Sequence, residues 1–235
     1  MIYIVKHSNE SFVPLNKGYT ILGVGNEFID DGRDNINHLN LYINETTALY
    51  DIWKNCNENI VGLNHYRRSF VFVDEQGFLF NMSFKTAKTI VEDNKLICTN
   101  KINLKENTIY SHLKYAFQTF CPNVVPTFDK YINKLEKIDK DLVKYFKTSH
   151  GLITKNMFIC KKEIIDKYCE YLFPFIIPLT EEFINYDLKN IKALGNYPGQ
   201  ERMIGHIIER IFSYWLEEKL GIDNIVECCY VTYVE

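Results

Sequence analysis

At 235 residues with a formal net charge of −3, the chain has length enough for a substantial core and carries neither a basic tail nor an overall basic field, which argues against nucleic acid as a partner. The apolar run at Met1 to Lys6 is too short for a secretion signal, and no stretch reaches the roughly 18 apolar residues that span a bilayer. Seven cysteines without a C-x-x-C pair read as reduced thiols of a cytoplasmic protein.

The pattern predicts one α/β domain over residues 1–235. Residues 2 to 5 form a short strand whose polar exit, Lys6-His7-Ser8-Asn9, sets His7 at a strand end. A second strand runs from Tyr19 to Val24 and stops at Gly25. The loop Asp30-Asp31-Gly32-Arg33-Asp34-Asn35 is dense in turn formers, and its side-chain acceptors suit a ribose, a base or a metal as well as simple turn chemistry. From Asn44, read as the cap, a helix presents Ala48, Leu49, Ile52 and Trp53 on one stripe. Glu45 points along that stripe, where a carboxylate needs a partner or a task.

The stretch Val61 to Phe70 is the most informative. An apolar strand that runs without a turn into His65, Tyr66, Arg67 and Arg68 delivers cations to the edge of a sheet. In an extended chain His65 and Arg67 share one face and Tyr66 and Arg68 the other. Ligands of open α/β sheets bind beyond the carboxyl ends of the strands, and guanidinium is shaped to hold phosphate oxygens in pairs.

Beyond it, Phe70 to Phe80 reads as a hairpin turning at Asp74 to Gly77, Ser83 caps a helix to about Asp93, and Lys95 to Thr99 is a strand. Thr108 to Lys147 is mostly helical, with a break around Pro122 to Pro126. Ile153 to Cys160 reads as one strand with Asn156 inside its apolar run, a buried amide that neighbours or a ligand must satisfy. A helix from Lys161 to Phe173 follows, then an irregular segment from Pro174 to Pro198, expected to form a mobile loop over the site. The last helix, Gly199 to Leu220, places Arg202, Gly205 and Glu209 on one flank, where the glycine implies a close approach to the backbone. A terminal strand covers Ile225 to Val234. No P-loop, G-x-G-x-x-G, G-x-S-x-G or H-E-x-x-H is present.

These pieces together resemble a known family. Asp34-Asn35-Ile36, Asn44-Glu45-Thr46-Thr47-Ala48-Leu49-Tyr50 and Gly62-Leu63-Asn64-His65-Tyr66-Arg67-Arg68 follow one another in an order and spacing similar to the bacterial capsular and exopolysaccharide biosynthesis family, long filed as a domain of unknown function and described as glycosyltransferase-like. That family includes galactofuranosyltransferases. The C-terminal half agrees through Asn156-Met157-Phe158-Ile159, Tyr168-Cys169 and Arg202 to Glu209-Arg210; Lys6, Ser8 and Ile43 depart from the usual pattern.

The resemblance implies a GT-A-like fold, a mixed and mostly parallel sheet flanked by helices, and hexosyl transfer from a UDP-sugar to a glycan acceptor in capsular, exopolysaccharide or O-antigen biosynthesis. A lipid-linked acceptor at the inner face of the membrane would bring peripheral membrane association. His7, Asp34, Asn35, His65, Arg67, Arg68, Asn156 and Arg202 are the expected donor contacts. Glu209, with Glu45 second, is the expected base of an inverting reaction. Many GT-A enzymes hold the donor diphosphate through a metal on an Asp-x-Asp pair; here His65-Tyr66-Arg67 stands in that place, so no cofactor is expected to be required, with Mn2+ or Mg2+ as the alternative. Two other classes stay open: a module that binds a nucleotide sugar or glycan without turnover, and a metal-dependent hydrolase built on Asp30, Asp31, Asp34 and His38.

Overall fold

The computed structural model describes residues 1–7, 17–73 and 76–233. The elements run β1 (Ile2–Lys6), β2 (Tyr19–Gly23), α1 (Asn40–Ile43), α2 (Thr46–Asn55), β3 (Ile60–His65), β4 (Arg68–Val73), β5 (Leu79–Asn81), α3 (Phe84–Val91), β6 (Leu96–Thr99) and β7 (Lys101–Asn103). Then come α4 (Ile109–Phe120), α5 (Val125–Ile138), α6 (Lys140–Thr148), β8 (Gly151–Ile153), β9 (Phe158–Lys161), α7 (Lys162–Glu182), α8 (Leu188–Leu194), α9 (Met203–Tyr214), β10 (Ile225–Cys228) and β11 (Tyr230–Thr232).

The fold is mixed α/β, with a largely parallel sheet ordered β10-β6-β9-β3-β1-β2. Among the described residues only β9 runs against its neighbours in that sheet, β3 and β6. The period-2 alternation of each strand sorts its side chains between two cores. Val61, Leu63, Leu96, Cys98, Phe158 and Cys160 face the larger one, built with the helices α2 and α4 to α9. Ile2, Ile4, Ile97 and Ile159 face the smaller, closed by Phe70, Met82 and two residues of α3, Ala87 and Val91. Gly62 sits on the crowded side: a Cβ there would lie 2.9 Å from Ile159 Cγ1 and 3.0 Å from the Phe158 carbonyl oxygen, so the strand needs glycine at that step.

Several sequence expectations change. First, β3 does turn: Tyr66 and Arg67 separate it from β4, which leaves the main sheet to pair with β5 and β11. Second, Ile153 to Cys160 is two strands, because Lys155 and Asn156 both take positive φ, 79° and 48°. Third, the helix expected from Asn44 begins at Thr46, since Asn44 itself has a φ of 53° and ends α1. Fourth, α7 continues through Pro174 and Pro178 to Glu182, followed by a π turn at Phe183–Asp187 and α8, so the expected loop is helix as far as Leu194 and irregular only from Gly195 to Pro198. Each interior proline costs about 3 kcal/mol. Burying Leu172, Phe173, Ile176, Leu179 and Phe183 against the core offsets that, at about 1.5–3 kcal/mol for each large side chain.

The terminal strand also splits, β10 joining the main sheet and β11 the small one. The predicted hairpin is present as β4 and β5, in antiparallel register from Val71 and Asn81 to Val73 and Leu79. Its Asp74 and Glu75, the Ser8 and Asn9 of the first strand's exit, and Val234 lie outside the described residues. Ser83 caps α3 as expected, its hydroxyl accepting from Thr86 N–H at 3.0 Å. Among the described residues no helix is long and apolar enough to cross a membrane.

Candidate functional site

Because β1, β2 and β3 are parallel, their carboxyl ends open on one edge of the sheet, with Val5 paired to His65 and His7 just beyond. β9 is antiparallel, so the residues that lead into it, Lys155 and Asn156, arrive at that same edge. The start of α9, with the Gln200–Arg202 turn before it, closes the far side. Between them lies a cleft of about 750 Å³.

Gly205 explains how α9 comes so close. A Cβ on it would lie 2.6 Å from Asn44 Nδ2 and 3.1 Å from the Tyr42 carbonyl oxygen. The approaching group foreseen from the mid-helix glycine is therefore the end of α1.

One wall is cationic. Arg67, Arg68, Lys155 and Arg202 all line the cleft, and among the described residues none has a carboxylate within 4.0 Å. The Tyr66-Arg67 turn is fixed at its backbone: Arg67 N–H donates to His65 Nδ1 at 3.4 Å, and Arg67 O accepts from Tyr233 N–H at 2.8 Å. The Tyr66 ring lies 4.3 Å from the His65 ring and meets His7 edge-on at 4.7 Å. Burial, then Arg68 and Arg67, push the His65 imidazole down to about 3, so it is neutral at physiological pH. His206 behaves alike, brought to about 4 by burial and Arg210. His65 and His206 thus add no positive charge to the cleft near neutral pH, a correction to the expectation that His65 is one of the cations.

The same cleft also carries two carboxylates in unlike states. Glu45 sits at the N-terminus of α2, and Asn156 Nδ2 donates to its Oε1 at 3.2 Å. Burial raises its carboxyl above the usual range and Glu209 adds to that, against the hydrogen bonds and Arg68. Glu209 is engaged at both oxygens, by Lys155 N–H on Oε1 at 2.6 Å and by Arg210 Nη1 on Oε2 at 2.5 Å. Burial opposes its charge, but Arg210 and the Lys155 amide outweigh burial and hold the carboxyl below its ordinary value.

Residues 1–220 match the profile of a family described as a domain of unknown function, DUF4422. The chain belongs to that family. The DUF4422 chain also superimposes over its full length on the apo structure of WbbM, a bifunctional glycosyltransferase, with a TM-score of 0.73 and 23% identity. It spans 45% of that chain, so the likeness is one of fold. A search of curated proteins finds no match.

The DUF4422 cleft gathers eight of the ten residues singled out in the sequence: His7, Glu45, His65, Arg67, Arg68, Asn156, Arg202 and Glu209. The turn at Tyr66-Arg67 lets Arg67 and Arg68 share it, where an extended chain would send them to opposite faces. Asp34 and Asn35 do not line it. The Asp34 carboxylate accepts from Tyr50 OH at 3.2 Å, and Asn35 Oδ1 accepts from Asn37 N–H at 3.0 Å, so both organise their own loop. Lys155, His206 and Asn37 were not anticipated at the cleft. Asn37 locks Gly25 by accepting from its N–H at 2.7 Å and donating to its carbonyl at 3.2 Å. His206 falls between Arg202 and Glu209 on the flank already marked by spacing, which is the signal that could have found it.

The acidic loop read as a possible metal site uses its carboxylates within the protein. Asp30 and Asp31 cap Gly32 and Arg33 N–H groups within their loop, and Arg33 pairs with Asp31 and Asp51. Both Glu209 oxygens are taken. Among the described residues no three His, Cys, Asp or Glu side chains cluster to hold an ion.

Proposed function

We propose that the protein is a glycosyltransferase that moves a hexosyl group of the galactose or galactofuranose type from a UDP-sugar to a glycan acceptor. One observation carries this reading: guanidinium and ammonium groups that have no carboxylate partner among the described residues gather at the carboxyl-end edge of the parallel strands, in one cleft with a carboxyl held above its usual range. Fixed cations suit a leaving diphosphate, which gains charge as the glycosidic bond breaks. A raised carboxyl suits proton removal near neutral pH.

In this account Arg67 and Arg68 hold the diphosphate without a metal, Lys155 and Arg202 add charge at its edge, and His7 and the Gly25 turn border the nucleoside. Glu45 takes the proton from the acceptor hydroxyl. The hydroxyl oxygen bonds to the anomeric carbon from the face opposite UDP, the C–O bond to the β-phosphate breaks, and its electron pair leaves with UDP, inverting the centre. The sequence resemblance favours surface-polysaccharide synthesis on a lipid-linked acceptor at the cytoplasmic side of the membrane.

Glu45 replaces Glu209 as first choice for the base, because Glu209 has no free oxygen and its carboxyl is held low. The test is UDP release from a panel of UDP-hexoses with glycan acceptors. Turnover in the wild type that disappears in Glu45→Gln while UDP still binds supports the reading. Sugar-nucleotide binding without turnover on any acceptor favours the binding module instead.

A further inference from the structure

Lys155 and Asn156 are consecutive non-glycine residues with φ of 79° and 48°, an arrangement local sequence does not favour. Something outside the turn must hold it. Lys155 N–H, which an uninterrupted strand would commit to its ladder, donates to Glu209 Oε1 at 2.6 Å from a residue 54 positions away. Glu209 is itself fixed from behind. Arg210, only 6% exposed, donates through Nη1 to Glu209 Oε2 and to the His206 carbonyl at 3.0 Å. A buried guanidinium needs its carboxylate, and the carboxylate thereby loses freedom to do anything else.

At the other end of the turn, Asn156 Nδ2 donates to Glu45 while its buried Oδ1 has no partner among the described residues. With Glu45 ionised, the amide nitrogen is the end of the carboxamide that can face it, since Oδ1 in that place would meet a second acceptor.

We propose that Glu209, clamped by Arg210, is a positioning residue: it holds the Lys155–Asn156 turn in its left-handed form, and so sets the Asn156 carboxamide against Glu45 and the Lys155 ammonium in the cleft. What Glu45 does there rests on the transferase reading; the chain of contacts from Arg210 to Glu45 does not. The charged groups around it are Arg68 from β4 and Glu209 facing Glu45, and Arg210, His206, Lys155 and, from α4, His112 facing Glu209.

The test uses unliganded full-length protein. Amide exchange at Lys155 is compared in the wild type, Glu209→Gln and Glu209→Ala. The Glu45 carboxyl is titrated by carbon-13 NMR in side-chain-labelled protein, with its signal assigned by loss in Glu45→Gln. The alanine variant is expected to speed Lys155 exchange about tenfold or more, as loss of one charge-assisted bond implies, and the glutamine variant, which keeps an acceptor, to rescue part of it. The Glu45 midpoint is expected to move to lower pH in Glu209→Gln, since a repelling charge is removed, and to higher pH in Asn156→Ala, since a donor to the carboxylate is lost. A merely structural Glu209 predicts the same Glu45 midpoint in Glu209→Ala and Glu209→Gln, since both remove the same charge, whereas a positioning Glu209 predicts a higher midpoint in the alanine variant, where the Asn156 donor is released; equal midpoints overturn the proposal. So does unchanged Lys155 exchange in Glu209→Ala. If the Glu209 variants do not fold, the Asn156→Ala titration decides, an unmoved midpoint counting against it. None of these readouts needs a sugar nucleotide, so a failed donor search leaves them standing.

Discussion

The carboxamide of Asn156 donates to the carboxylate of Glu45 at 3.2 Å, joining residues 111 positions apart in the cleft lining. A carboxylate with one side-chain donor and a raised proton affinity is suited to accept a proton. Glu45→Gln is therefore expected to lower kcat by about 10²–10⁴ and to leave UDP affinity nearly unchanged. Steady-state rates set beside calorimetry separate the two effects.

The same residue should cost stability. Burial raises the folded-state carboxyl of Glu45, so the folded protein binds its proton more tightly than the unfolded chain does, and stability is lost as pH rises through that raised range. Glu45→Gln is expected to raise the melting temperature at pH 7. The gain should vanish on acidification below the ordinary carboxylate range, where both states are protonated. A melting temperature that falls at pH 7 would contradict this.

His65 works in the other direction. Its imidazole is pushed from an ordinary 6.5 to about 3, so below 6.5 the unfolded chain takes up a proton that the folded protein refuses, and stability falls as pH drops from 6.5 towards 3. Urea melts across that window are expected to show a shallower acid loss in His65→Gln. Since His65 carries no charge near pH 7, the same variant should keep the salt dependence of UDP binding, whereas Arg67→Ala should weaken it.

Gly205→Ala tests the close approach of α1 to α9. Alanine favours a helix interior over glycine by about 1 kcal/mol. The added Cβ would meet Asn44 Nδ2 at 2.6 Å and, less yieldingly, the Tyr42 backbone oxygen at 3.1 Å. Overpacking of this kind costs about 1–3 kcal/mol, so a lower melting temperature and weaker UDP binding are expected.

What could be read from the sequence was what adjacent residues decide. The apolar strand that ends at His65, the Ser83 cap and the flank of Arg202, Gly205 and Glu209 follow from local alternation, side-chain chemistry and helical spacing, and the structure has them there, although a turn at Tyr66-Arg67 interrupts the expected run into Arg68. What distant contacts decide was not legible. The Lys155–Asn156 turn depends on Glu209, and α7 survives two prolines because its stripe is buried in the larger core. Asp34 and Asn35 misled because composition marks a loop rich in acceptors without revealing that Tyr50 and Asn37 already use them.

The central claim, that arginine side chains hold a nucleotide diphosphate without a metal, is tested most directly by calorimetric titration of UDP in the presence of a chelator, on the wild type and on Arg67→Ala. Charge-assisted contacts of about 1.5–3 kcal/mol each predict binding that survives the chelator and weakens by one to two decades in the variant. Binding that appears only when manganese is added, or equal affinity in both proteins, would contradict it.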